Sequence, residues 1–300
     1  MILTLCPNPS VDTYAWLDGI QSGAVNRIKR EQRFPGGKGV HVALAVAELG
    51  EAVSLLGFWG GATGQWIRKT CEERGIKCYG PETEEWSRTC MTFKSENAFD
   101  ETELIGAGPA ISHADFVNFL TEYEKLLPKA EAVTMSGSWP KGAPPDGYAQ
   151  LLKIAHRAGK LTFVDATGGQ LASALDQHPH VVHMNRTEAQ EYFKVSDIQQ
   201  AAFLLAEKCR YAVVTSGAEG VFIASGREIC HAVCPVEDVY SAVGSGDCLL
   251  AGVAVAFRRG MSAQQAARLG AACGAANCIR ADLGMFYRKD VEMLLARPSQ

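Results

Sequence analysis

What the chain lacks narrows the field first. No run of Lys or Arg exceeds a pair such as Arg258-Arg259, and the net charge is -4. The basic field that nucleic-acid binding requires is therefore missing, and an anionic ligand needs local cations. No stretch approaches roughly 18 uninterrupted apolar residues. The opening MILTLCPNPS carries neither a basic leader nor an extended apolar core, so membrane insertion and secretion are not expected. Ten cysteines are present but no Cys-x-x-Cys pair, the spacing most typical of zinc sites. Scattered from Cys6 to Cys278, they read as small apolar fillers, reduced in a cytoplasmic protein. The GxxxxGK[ST] spacing of a Walker loop is absent, and no GxGxxG follows the first apolar run. No internal repeat or low-complexity linker is visible.

What is present fits one large α/β unit. The 300 residues are 47% hydrophobic and 21% charged, ordinary for a folded chain and wrong for a disordered one. Short apolar runs at 1–6, 53–58, 131–135, 161–165, 180–184 and 211–215 read as buried parallel strands. Helical patterns lie between and after them, at 40–49, 64–74, 114–127, 147–158, 187–193, 198–208, 246–258 and 263–281. That alternation predicts a doubly wound sheet. Residues 10–34 and 88–105 break it with β-branched and polar residues that suit a small separate sheet, and 221–240 reads as strands around a turn at Gly226.

Three segments carry candidate chemistry. In Asp238-Val-Tyr-Ser-Ala-Val-Gly-Ser-Gly-Asp247, glycines precede a helical run, so free amides of Gly244, Ser245 and Gly246 can converge on an anion at the positive end of the helix dipole. Asp247 would repel that anion unless it had its own task, and proton abstraction from an attacking hydroxyl supplies one. A simple preference of Asp for a helix N-terminus produces the same spacing. Phe34-Pro-Gly-Gly-Lys-Gly-Val-His41 is a second glycine-rich helix entry, with Lys38 adding positive charge; a plain turn reads alike. Asn8-Pro-Ser-Val-Asp12 places a carboxylate after the first strand, where open α/β sheets bind ligands, although an Asx turn is the competing reading.

Together these segments resemble the ribokinase-like sugar kinases of the PfkB family, above all its branch of 1-phosphofructokinases and tagatose-6-phosphate kinases. NPSVD, VNRI, PGGKG, Ser136-Gly-Ser-Trp-Pro-Lys-Gly142, Asp165-Ala-Thr-Gly168, Asn185-Arg-Thr-Glu188, Thr215-Ser-Gly-Ala-Glu-Gly220 and VGSGD all occur in the family's order. The resemblance implies an α/β fold: a three-layer core with a mostly parallel central sheet, spanning 1–300 as one kinase domain. Segments of about 10–34 and 88–105 would form a β-sheet lid that covers the sugar and joins a homodimer.

By the same resemblance Asp247 is the catalytic base and Gly244, Ser245 and Gly246 its anion hole. Asp12, Gly36, Gly37, Lys38 and His41 fall at substrate-binding positions, and Arg27 and Arg88 would hold the substrate's own phosphate. Asn185, Thr215, Gly217, Gly220 and Asn277 fall at nucleotide positions, and Glu188 at a magnesium position, acting through water. The implied cofactors are ATP and Mg2+. Two departures stand out: His41 where the family usually has Asn, and His183-Met184 where Lys-Pro is frequent.

The resulting expectation is transfer of the ATP γ-phosphoryl group to tagatose 6-phosphate at its 1-hydroxyl. The alternative acceptor is fructose 1-phosphate at its 6-hydroxyl. A non-catalytic sugar-phosphate sensor on the same fold is the competing class, and a nicotinamide-dependent dehydrogenase ranks last.

Overall fold

The computed structural model describes residues 1–95 and 100–297. Its largest element is a nine-stranded sheet in the order 228–232, 221–225, 211–215, 181–185, 161–165, 132–136, 2–6, 53–57 and 77–79. The seven strands from 77–79 to 211–215 run parallel, and the last two form an antiparallel hairpin through Gly226. Parallel strands covered on both faces explain the near-continuous apolar runs.

Alternation along the first strand shows how both faces are filled. Ile2 and Cys6 join a core with the helices Lys38–Glu48, Ser245–Arg258 and Ala263–Cys278. Leu3 and Leu5 point the other way, into a core with the helices His113–Leu126, Gly147–Arg157 and Ile198–Ala206. The result is helix, sheet and helix in three layers, as expected. Strand register then levels the strand ends. Ser136 pairs with Asp165, and Asn185 with Thr215, so polar residues align along the carboxyl edge.

A separate four-stranded sheet is built from Arg30–Gly36, Ser10–Trp16, Arg88–Lys94 and Glu103–Ile105, in that order. It comes from the two stretches that broke the alternation, although 17–29 forms no strand and 96–99 lie outside the described residues. Its middle strands pair in parallel from Ser10 with Arg88 to Trp16 with Lys94.

Several elements differ from expectation. Residues 233–240 form no strand, because Pro235 has no amide to give a ladder and Tyr240 N–H instead donates to the Cys278 carbonyl. The helices Gly168–Leu175 and Arg288–Leu295 and the strand Lys77–Tyr79 were not anticipated; two helical turns or three residues hold too few repeats for a period to show. Among the described residues, no helix is long and apolar enough to cross a membrane.

The glycine-rich helix entry is fixed by close packing. A Cβ at Gly39 would lie 2.2 Å from the Leu5 carbonyl oxygen, so only glycine lets this helix start against the central strand. Gly39→Ala is therefore expected to destabilise the fold by about 1–3 kcal/mol. Urea denaturation, with the midpoint shifted at constant slope, checks this.

Candidate active site

At the carboxyl edge of the sheet, under the small sheet, lies a cavity of ≈1110 Å³. Ligands of open α/β sheets bind at this edge. Two helices and four strands deliver its chemistry. The helix Ser245–Arg258 opens into it with Asp247 in its first turn. The helix Lys38–Glu48 contributes Lys38 and, one turn on, His41. The strand Ser10–Trp16 brings Asp12, and the ends of three main strands bring Asp165, Asn185 and Thr215.

The first helix entry has the shape of a cradle of backbone amides. Gly244 adopts φ 81°, in the left-handed region, as the N-cap, and a Cβ there would sit 2.5 Å from Gly284 Cα. Ser245 N–H is spent on the Ala242 carbonyl at 3.1 Å. Among the described residues, no acceptor pairs with the amides of Gly244, Gly246 and Asp247. Of the three amides expected to face an anion, the turn consumes that of Ser245, and the amide of Asp247 is free beside the other two. Free amides at a helix N-terminus favour negative charge.

Asp247 is buried beside this cradle, and its Oδ2 lies 2.8 Å from His41 Nδ1. His41 Nε2 lies 3.3 Å from Asp12 Oδ2, close enough to pair charge but not aligned for a hydrogen bond. Burial works against an imidazolium here, but the contacts to Asp12 and Asp247 outweigh it and push the pKa of His41 up to about 10. Asp12 also accepts from Ser10 Oγ at 2.6 Å and from the Gly37 amide at 3.4 Å. Burial raises its pKa, but these partners and His41 hold it below the usual carboxylate value. Gly36, at the end of the neighbouring strand, leaves room for this carboxylate.

A second buried network runs beneath the cleft. Lys38 Nζ donates to Asp165 Oδ1 at 2.5 Å, Asp165 Oδ2 lies 2.7 Å from His183 Nδ1, and His183 Nε2 lies 3.2 Å from Thr215 Oγ1. Desolvation opposes both charges, but Asp165, Asp247 and Glu188 hold the pKa of Lys38 above its ordinary value. Lys38 and His183 likewise keep Asp165 well below the carboxylate range. Asp165 drew no role from the sequence; its place after an apolar strand, the same cue used for Asp12, would have found it. Gly284 left no cue: a Cβ there would meet the His41 ring at 2.3 Å, so its bareness admits that ring.

The remaining expected residues divide. Gly37, Arg88, Asn185, Glu188, Thr215, Gly217 and Gly220 line the cavity. Arg88 Nη1 donates to the Gly106 carbonyl at 3.4 Å, while its Nε is buried with no partner among the described residues. Asn185 and Glu188 close a reciprocal capping box at 2.9 Å in each direction, which uses one Glu188 oxygen. Arg27 is exposed in 17–29 and does not line the cavity, because that connection folds outward; the expected pair of arginines is not assembled. Asn277 does not line the cavity either. It is buried, and its Nδ2 donates to the Val243 carbonyl at 3.0 Å, bracing the glycine turn from behind.

A family model described as pfkB family carbohydrate kinase matches residues 8–284. The chain belongs to that family. It is a sugar kinase, and the family implies ATP as the phosphoryl donor. The fold is that of phosphofructokinase-2 from Escherichia coli, whose solved structure has a TM-score of 0.89 at 24% identity, over 98% of each chain. A ribokinase from Arabidopsis thaliana, solved with ribose and ATP, shares the fold at a TM-score of 0.79 and 20% identity, over 99% of each chain. A protein described as a possible 1-phosphofructokinase from Thermotoga maritima has a TM-score of 0.87 at 25% identity, covering 98% of this chain and 97% of that one.

The kinase's cleft also carries a pH signature. The folded pKa of His41 lies above its ordinary value of 6.5, so its stabilising contribution is full below about pH 6.5 and is lost as pH rises through about 10. Between pH 7 and 10, the thermal midpoint of the native protein is expected to fall relative to that of His41→Gln. Parallel melting curves of the two proteins check the sign.

Proposed function

We propose that this kinase transfers the γ-phosphoryl group of ATP to a primary hydroxyl of a ketohexose phosphate, with tagatose 6-phosphate giving tagatose 1,6-bisphosphate as the leading reaction. The observation that carries the reading is the buried Asp247 carboxylate beside unpaired helix-terminal amides in one cleft. Asp247 takes the proton of the acceptor hydroxyl as the oxygen attacks phosphorus. The amides of Gly244, Gly246 and Asp247 oppose charge on the migrating group, and the released product is ADP.

The acceptor lies at the Asp12 end of the cleft, under the small sheet acting as a lid. Asp12 accepts hydrogen bonds from sugar hydroxyls. The unpartnered Nε of Arg88 supports a role in holding the substrate's own phosphate, although Arg88 would act without Arg27 from the same chain. The nucleotide lies toward Asn185, Thr215, Gly217 and Gly220. Among the described residues no cluster of three or more His, Cys, Asp or Glu side chains stands ready for a metal. Mg2+ keeps its waters and binds through few carboxylates plus phosphates. Glu188, with one oxygen outside the capping box, would hold such an ion through water. When bound, the ion neutralises phosphate charge. A cytoplasmic homodimer joined through the lid completes the reading.

The likeness to the possible 1-phosphofructokinase favours one second reading, fructose 1-phosphate phosphorylated at its 6-hydroxyl. An ADP-release assay over tagatose 6-phosphate, fructose 1-phosphate, fructose 6-phosphate and unphosphorylated sugars separates these; a best substrate without phosphate would end the sugar-phosphate proposal. Ligand binding without ADP release on any sugar phosphate would indicate a sensor.

Two variants test the roles. Asp247→Asn is expected to lower kcat by about 10²- to 10⁴-fold while leaving ATP affinity nearly unchanged. Arg88→Ala is expected to raise KM for the sugar phosphate by about 10- to 100-fold, in line with charged hydrogen bonds worth about 1.5–3 kcal/mol. Steady-state kinetics with each substrate varied in turn measures both.

A further inference from the structure

We propose that His41 is a positioning residue: its ring clamps Asp247 and Asp12 on opposite sides, fixing the proton acceptor and the sugar-holding carboxylate relative to each other. The inference deepens the proposed reaction and rests on Asp247 as its base.

Three observations support the clamp. The ring is almost fully buried and spans two elements distant in sequence, with Nδ1 2.8 Å from Asp247 Oδ2 and Nε2 3.3 Å from Asp12 Oδ2. Its plane is walled by Gly284, where any Cβ would strike the ring, so it has little room to turn away. The charged groups around it are Asp12, Asp247, Glu103 across the cavity on the small sheet and, a turn earlier on the same helix, Lys38, which is itself tied to Asp165. Two carboxylates brought this close in a buried space repel, and a doubly protonated imidazole between them is the arrangement that offsets the repulsion. The rise of the His41 pKa to about 10 agrees with that state.

An imidazole fits this place in a way a smaller amide does not. It carries donors on two opposite edges, whereas an asparagine at position 41 is shorter and presents its two N–H groups from a single nitrogen. His41 can thus address both carboxylates at once. It also explains how the base is aimed without touching the sugar. The side of Asp247 facing His41 is occupied, which leaves its other oxygen, Oδ1, for the acceptor hydroxyl.

Because one ring holds both groups, its loss should act on two kinetic constants. His41→Asn is expected to lower kcat by about 10²-fold, the scale of a misplaced reacting group, and to raise KM for the sugar phosphate. The kcat effect should vanish in an Asp247→Asn background, and the KM effect in an Asp12→Asn background, since coupled residues are not additive. A ring that touches only the sugar would raise KM alone, and a merely structural ring would lower the melting temperature alone; either result overturns the clamp. Large effects of Asp247→Asn and His41→Asn that simply multiply would also overturn it while leaving the base in place. Near-normal turnover of Asp247→Asn by itself would instead remove the base.

Nitrogen-15 NMR of the ring in the native protein supplies a readout that needs no variant to be active. Both ring nitrogens of His41 should remain protonated at pH 8, with the signal identified by its shift in Asp247→Asn. A neutral ring at that pH would overturn the proposal.

Discussion

Buried charge is the constraint around which this cleft is organised. Asp12, Asp165 and Asp247 are all removed from bulk water at the carboxyl edge of one sheet. Carboxylates in such a place remain ionised only when cations and donors are fixed beside them. His41 serves Asp12 and Asp247, and Lys38 with His183 serves Asp165. Close packing sets where these groups stand, Lys38 and His41 in the first turn of one helix and His183 within a main strand. The glycines at 39 and 284 are instances: one lets a helix meet a strand, the other lets a ring meet the chain.

This arrangement links fold to chemistry through register. Parallel pairing sets the ends of the main strands level, so polar residues that would be costly inside the sheet emerge together at its edge. Two helices then point their first turns at the same space, one with Lys38 and His41, the other with free amides and Asp247. The small sheet adds Asp12 and Arg88 from its two parallel middle strands. The Asp247 carboxylate, the free amides of the helix start and the Arg88 guanidinium thus share one cavity, although the chain as a whole is acidic.

Much of this was legible in the residues. Apolar runs located six parallel strands because burial on both faces leaves no polar alternation to confuse the pattern, and the two irregular stretches did form a sheet of their own. The glycine-rich segments did mark two helix starts, at Lys38 and just before Asp247, because glycine permits the positive φ of each N-cap. Contacts made across the fold were not legible. Asp165 gave no sign that it would bridge Lys38 and His183, Asn277 resembled a ligand position yet faces the Val243 carbonyl, and Arg27 sits in a motif that the chain carries outward. The substitution of histidine at positions 41 and 183 looked like two separate departures; in three dimensions each ring meets a buried carboxylate.

The most direct test of this mechanism is a crystal structure with a non-hydrolysable ATP analogue and a ketohexose phosphate bound together. The terminal phosphoryl group is expected within hydrogen-bond reach of the Gly244, Gly246 and Asp247 amides, with the acceptor hydroxyl against Asp247 Oδ1. A nucleotide terminus seated away from that turn, or an acceptor hydroxyl out of reach of Asp247, would contradict it.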